Sequence, residues 1–563
     1  MTLPNQGATK RPSREVGHPT GLRGDDRKLA TARPMSVGSF RMKRQHGLLL
    51  GGLAILVIAI SSAATWVGLS GSWVGDDWHM VHNYLYGDWA ELGAVFKRNA
   101  ASYLFVEDKV GPYRPATMLT LIATHLLAPE PWLHHAVSWL LHAATSLLLF
   151  VVLRSRSPAA SNTERATNDV VAAGLAALFF LHPVHVESYV WINGRSDLLA
   201  GFWLVALVFW LSQMKAAQRP RWAPLFALGL IAFLGASSKL PFAVAAVAAW
   251  LAWASKRPVA QSRWAGSAIA SGIAVHLVLR SAFAPFQGQL GASENVFADP
   301  NIWLSVPKLV GKGAAALLSF RAEAMQSLSW VLFGPWSASD WVGLAVVLLV
   351  LVFLMSRRDV TSLAYAIGAI LTLAPVAIVS GAFWMGFDRY LYMPAILWLL
   401  AMSPYVVRVA SRNRGWRLAF GVLGLGLLGY SASQTHAASQ AYASQEAYDR
   451  ALVRDHLDDP SIHFYFARVA ARHGDEDRLR EHLSSMPPPP WPRPIIVPTY
   501  DLAIKANDAA KRLEAVDALV ATVREGPRCA RVRAQLEAWS EKAADPETGR
   551  YIEDRLAAIS CRP

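Results

Sequence analysis

"HPVHVESYVWINGRSDLL", residues 182–199, places two histidines, a glutamate, an arginine and an aspartate between two apolar runs, Val170–Leu181 and Leu198–Met214. The fold turns on how that juxtaposition is read. Ionisable side chains avoid hydrocarbon unless they face a cavity, a partner or the interface. The stretch therefore reads as a polar turn joining two membrane segments at one surface. The rest of the chain carries the same alternation. Hydrophobic residues make up 53% of its 563 residues, which is high for a soluble protein of this length. Up to about residue 435 they come in long blocks, and residues 47–75 carry no charge at all. A span needs roughly 20 apolar residues. This first block is too long, and lacks the small-residue cleavage site, for a removed signal peptide.

Charge-free runs near 48–69, 133–153, 170–186, 198–214, 222–238, 240–255, 264–279, 341–356, 360–380, 390–407 and 418–434 predict about eleven transmembrane helices. The fold class expected is thus an all-α polytopic membrane protein. Its segments are a disordered basic stretch at 1–46, a membrane domain at 47–435 and a helical extramembrane tail at 436–563. The net charge of +14 would suit a nucleic-acid binder if it were clustered on one face. It is instead sorted by side. The segments assigned to the inner surface hold 25 Lys and Arg against 6 Asp and Glu, the outer loops 11 against 14, and the tail 18 against 20. Lys and Arg mark the cytoplasmic side. The N-terminus is therefore expected inside and the tail outside, with no nucleic-acid partner.

Two outer segments are long. Within about 71–132, the apolar stretch Thr117–Leu127 is short for a span and is expected to lie on the outer surface. Within about 280–340, Asn301–Phe320 mixes Lys308 and Lys312 with apolar residues and reads as interfacial or re-entrant. In the tail, "PSIHFYFARVAARHGDEDRLREHL" (460–483) reads as one degenerate tetratricopeptide-type hairpin. "MPPPPWPRP" (486–494) is a stiff spacer, and two or three amphipathic helices come after it. Cys529 and Cys561, the only cysteines, both fall in the tail, where an oxidising compartment would let them pair.

Five constellations carry chemistry. Asp76 and Asp77 follow the first span, and adjacent carboxylates repel, which suits a proton acceptor; a solvated helix-start pair is the plainer alternative. His182, His185 and Glu187 are residue types that ligate divalent ions, yet their spacing matches no standard zinc motif, so a metal site is not expected. Arg114, Arg195, Lys239 and Arg389 are lone cations at outer ends of apolar runs. Together they suit a lipid-borne phosphate, against the alternative that each merely snorkels. Asp197 closes the quoted stretch. "FDRYLYMP" (387–394) contributes Asp388 beside Arg389, with Tyr390 and Tyr392 as candidate interface anchors. The chain lacks a glycine-rich phosphate loop, a CxxC pair and a nucleophile elbow.

"GDDWHMVHN", "YRPATMLTL", "HHAVSWLLHAATSLLLF", "HPVHVESYVWINGRSDLL", "SSKLPF" and "DRYLYMP" occur in that order. In this the chain resembles the transmembrane and tetratricopeptide-repeat O-mannosyltransferases and their bacterial relatives, of the GT-C class of membrane glycosyltransferases. The resemblance implies transfer of a sugar, mannose or another hexose, from a polyprenyl-phosphate carrier to a hydroxyl of exported protein. It implies an active site on the outer face, with no cofactor beyond that donor. By it, Asp76 is the base and Asp77 its helper. Arg114, Arg195, Lys239 and Arg389 hold the carrier phosphate. His182, His185, Glu187, Asp197, Asp388 and Tyr390 shape the sugar and acceptor pocket. The chain departs from the pattern at Lys239-Leu240, where Lys-Glu is usual, at Tyr189 and Asn193, and in its reduced repeat tail. The competing expectations are a transferase decorating a lipid or envelope glycan, a transporter of lipid-linked sugars, and a membrane-anchored interaction protein. Composition and short loops point to a bacterial inner membrane.

Overall fold

The structure is a computed structural model that describes residues 37–74, 77, 89, 91–97, 113–156, 161–214, 222–283, 300–321, 336–378, 388–455, 460–473, 475–487, 493–521, 527–541, 543 and 545–559. Asp76, Cys561, most of the 1–46 segment and much of the first long loop lie outside these residues, as does the Cys529 side chain. The chain divides near residue 49, within the first helix, and every later helix belongs to the unit Leu50–Pro563.

Every regular element among the described residues is helical. After α1 (Val37–Leu69) come α2 (Pro115–Leu127), α3 (Pro131–Ser155), α4 (Asn162–Phe180), the short α5 (Val186–Val190) and α6 (Arg195–Gln213). The chain continues through α7 (Trp222–Ser238), α8 (Phe242–Ala254), α9 (Val259–Phe283), α10 (Pro300–Ser319), α11 (Ala338–Ser356), α12 (Val360–Leu371), α13 (Tyr392–Ala410) and α14 (Arg414–Gln440). Among the described residues, five segments are long and apolar enough to cross a membrane: Pro131–Ser155, Ile192–Gln213, Val259–Phe283, Ala338–Ser356 and Asp388–Ala410. Thr163–Phe180 and Pro183–Val190 make a sixth crossing if their 49° bend belongs to one span. The chain is thus a polytopic helical membrane protein.

Part of the difference from eleven has a physical source. Two of the other expected runs form helices of only 17 residues at Trp222–Ser238 and 13 at Phe242–Ala254, while the first expected run lies within the 33-residue α1. At 1.5 Å per residue, 13 residues rise about 20 Å against a hydrocarbon core of about 30 Å. A charge-free run counts turns as well as helix, and the break at residues 239–241 shortens both of its neighbours.

α2 does more than lie on a surface. Thr117, Met118, Leu121 and Ile122 are buried, and the Thr117 hydroxyl donates to the Ser238 carbonyl at 3.2 Å. α10 pairs along α11, where Gly311 meets the Asp340 carbonyl and Gly343 meets that of Gly311. A Cβ at either position would collide with backbone, the small-residue geometry that lets membrane helices close up.

The tail holds more repeats than the one predicted. After α15 (Gln445–Asp455) there are three helix pairs: α16 (Pro460–His473) with α17 (Glu476–Ser485), α18 (Arg493–Lys505) with α19 (Ala509–Val520), and α20 (Pro527–Glu541) with α21 (Pro546–Ala558). Their first helices begin 33 and then 34 residues apart, the tetratricopeptide period. Asp475, Asp508 and Asp545 cap the three second helices. The hairpins share one core, in which Tyr500 stacks on Trp539 at 4.0 Å.

Candidate active site

The 182–199 stretch folds as two short 3-10 turns around α5, and then starts α6. Its entry is locked by hydrogen bonds. His182 Nδ1 accepts the Val184 N–H at 3.3 Å, so Nε2 carries the proton that it gives to the Leu317 carbonyl at 3.0 Å. One ring nitrogen thus caps the turn and the other ties it to α10. His185 packs against Phe179 and Tyr392, with ring centroids 4.4 and 4.9 Å away, and neither of its nitrogens has a hydrogen-bond partner among the described residues. Behind it, His142 accepts from the Tyr392 hydroxyl at 2.8 Å and donates to the Phe180 carbonyl at 3.1 Å.

The exit of the stretch is pinned by Asp77. This fully buried carboxylate accepts the N–H groups of Ile192 and Asn193 at 3.4 and 3.2 Å. Gly194 is required here. A Cβ on it would stand 2.6 and 2.7 Å from the carbonyl oxygens of Ser188 and Glu187, below any tolerable contact. Arg195 is held by groups of the protein itself. Its guanidinium donates to the Ser138 hydroxyl, the Thr124 hydroxyl and the carbonyls of Thr120 and His134, at 2.8–3.2 Å. It ties α6 to α2 and α3.

The other cations converge. Lys239, from the α7–α8 turn, pairs with Asp197 at the start of α6 and lies 4.1 Å from the centre of the Tyr390 ring. Arg389 stands 3.7 Å from the Glu187 carboxylate, gives its backbone N–H to the same group at 3.2 Å, and lies 4.3 Å over Trp191. Arg114 donates to the Ser196 hydroxyl at 3.3 Å, and that hydroxyl leans on Asp197 at 3.4 Å. Burial lowers the Arg114 pKa, while the neighbouring Tyr390 and Asp197 raise it and Arg389 lowers it further. Arg114, Lys239 and Arg389 thus lie within each other's field. Asp388 is buried beside them. Glu187, Asp197, Lys239 and Arg389 are each at most 4% exposed. Burying ions costs several kcal/mol apiece, so such pairs are weak devices for stability and mark function more often.

Of the residues singled out in sequence, Arg114, Glu187, Asp197, Lys239, Arg389 and Tyr390 form one cluster. Asp77 anchors the turn beside it, Arg195 and His182 hydrogen-bond to neighbouring helices, and Asp76 lies outside the described residues. Trp191 and Ser196 were missed, although both sit inside the opening stretch: an aromatic face just ahead of a glycine turn and a hydroxyl beside Asp197 are signals too common to notice alone. Among the described residues, no three His, Cys, Asp or Glu side chains are grouped as ligands for a cation.

No family model and no solved structure matches the chain. Several curated proteins are similar to parts of it, three of them as follows. Protein O-mannosyl-transferase Tmtc3 of Drosophila melanogaster is 33% identical over 132 residues, 20% of this chain and 14% of its own. Human protein O-mannosyl-transferase TMTC1 is 29% identical over 209 residues, 35% of this chain and 23% of its own. Human protein O-mannosyl-transferase TMTC4 is 33% identical over 136 residues, 23% and 18% of the two chains. The matched part therefore spans less than a quarter of each of these relatives.

Proposed function

We propose that the chain is a membrane glycosyltransferase of the GT-C class that moves a sugar, mannose or another hexose, from a polyprenyl-phosphate carrier to a hydroxyl acceptor, a Ser or Thr of an exported protein. The observation that carries this reading is the convergence of Arg114, Lys239 and Arg389, from three separate segments, on one buried cluster with Tyr390. The partial likeness to protein O-mannosyl-transferases supports the same reaction.

In this reading Asp76 takes the proton of the acceptor hydroxyl. The acceptor oxygen then bonds to the anomeric carbon of the sugar as that carbon's bond to the carrier phosphate breaks, and the phosphate leaves with the electron pair. The charge growing on the phosphate meets Arg114, whose partner is a hydroxyl and not a carboxylate, with Lys239 and Arg389 held behind it by Asp197 and Glu187. Cations fixed in advance stabilise such charge without reorganising. Asp77 anchors the peptide that carries Asp76. His185, Asp388 and Tyr390 line the sugar side. The site faces outward, the N-terminus is cytoplasmic, and the membrane is a bacterial inner membrane.

The test is transfer from radiolabelled polyprenyl-phosphate hexoses in membranes holding wild type, Asp76→Asn or Arg114→Gln. Label on protein with wild type and not with either variant is the expected result. Label on lipid or polysaccharide moves the acceptor to an envelope glycan. Intact transfer by Asp76→Asn removes the base assignment.

A further inference from the structure

At the end of the bundle away from the Asp197–Lys239 pair lies a cavity of about 820 Å³. It opens between the final residues of α3, α6, α8 and α13 and the first residues of α4 and α12. Arg156, Lys256, Arg257, Arg408 and Arg412 line it, against the acids Glu164 and Asp359. Both acids are already engaged. Asp359 accepts the Ser362 N–H and hydroxyl and the Tyr405 hydroxyl, at 2.8–3.1 Å. Glu164 accepts the Ser161 N–H at 3.2 Å in a capping box.

Among the described residues, none of the five cations forms an ion pair. Three of the arginines instead lie on rings: Arg156 at 4.8 Å from Tyr365, Arg257 at 5.6 Å from Trp253, and Arg408 at 5.5 Å from Tyr405. The buried Nε of Arg156 has no hydrogen-bond partner. Arg156 also hydrogen-bonds the Tyr365 hydroxyl; the aromatic contacts hold the guanidinium planes, and the remaining donors, the Arg156 Nε among them, stay available to an anion. The inner wall is apolar, with Val152, Leu211, Ala252 and Val407 buried. Next to lining residues in the chain stand Val151, Leu251 and Val360, apolar and 43–59% exposed.

We propose that this cavity binds the phosphate of an anionic membrane lipid, with the headgroup among the five cations and the acyl chains along the exposed apolar helix faces. Basic pockets between membrane helices are the recognised setting for such headgroups. The apolar wall and its exposed flank favour a lipid over a free phosphate. The site is separate from the proposed donor site: α6 runs from Asp197 to Leu211 and Ser212, so the two ends are roughly 21–23 Å apart at 1.5 Å per residue.

The test uses the full chain purified in detergent and native mass spectrometry after addition of phosphatidylglycerol or phosphatidylcholine. Retention of phosphatidylglycerol over phosphatidylcholine is expected. Lys256→Gln with Arg412→Gln, both exposed positions, should lower that retention about 25-fold, near five-fold per cation. Arg414→Gln with Arg417→Gln, exposed at the start of α14 and outside the cavity, should leave it unchanged. Equal loss in the control pair, equal retention of the two lipids, or displacement of the lipid by millimolar inorganic phosphate would overturn the proposal.

Discussion

The two ends of the helical bundle treat positive charge in opposite ways. At one end Lys239 and Arg389 are buried and each faces a buried carboxylate. At the other, Arg156, Lys256, Arg257, Arg408 and Arg412 surround an open cavity whose acids serve helix caps and hydroxyls. The first arrangement positions charge, because paired and hydrogen-bonded ions cannot wander. The second leaves charge available. Cation counts alone would rank the open end as the stronger anion site; the pairing shows that the buried end is built for geometry.

The contrast breaks most readily at Lys239. Lys239→Met leaves Asp197 buried without its partner and should cost about 3–5 kcal/mol, read as a fall in the melting temperature of the detergent-solubilised protein. Pairing it with Asp197→Leu should recover most of that stability, since apolar replacement of both ions is near neutral, while transfer stays abolished. A single variant as stable as wild type would show that the buried end is not held by its pairs.

Next in size is Asp77→Ala, which strips the Ile192 and Asn193 N–H groups of their acceptor. The expected loss is about 1–3 kcal/mol, with a fall in transfer that Asp77→Asn should partly restore, because its amide oxygen still accepts one of the two bonds.

The tail supplies an intermediate case, a half-exposed pair. Asp545 caps α21 and meets Arg512 at 2.8 Å. Asp545→Ala should cost about 1 kcal/mol. The Thr548 N–H first, then the Thr548 hydroxyl and Arg512, hold the Asp545 carboxyl below its usual range. A folded pKa lowered in this way contributes stability above the ordinary value of about 3.9, and that contribution fades as pH falls through the folded value. Acid melting profiles should therefore converge for wild type and Asp545→Ala below about pH 4.

The smallest effect belongs to the open end. Lys256→Gln or Arg412→Gln, at exposed positions without an ion pair among the described residues, should move stability by no more than about 0.5 kcal/mol. A larger change in the lipid-free protein would mean that these cations hold the fold.

Much of the charged end could be read from sequence because a lone ion in an apolar run stands out against its neighbours. Arg114, Lys239 and Arg389 were visible for that reason. Asp197 and Glu187 were visible too, but not the pairing, since Lys239 and Asp197 are 42 residues apart and only the packing of α6 against the α7–α8 turn brings them together. Arg195 looked like the others, but hydroxyls and carbonyls on α2 and α3 take its donors, and polar atoms of that kind leave no mark in a hydropathy pattern. Span number suffered from the opposite problem: turns such as the one at residues 239–241 sit among apolar residues and blur helix length. In the tail, the repeat survives mainly in three capping aspartates, too thin a pattern for periodicity to reveal.

Those three hairpins have a consequence for how the protein changes over generations. Each pair packs chiefly on its immediate neighbours, so the array is extended or shortened by whole 33- to 34-residue steps. A duplication of one step adds a surface while leaving the membrane helices untouched. The length of the tail can thus change by whole steps while the helical bundle stays the same size.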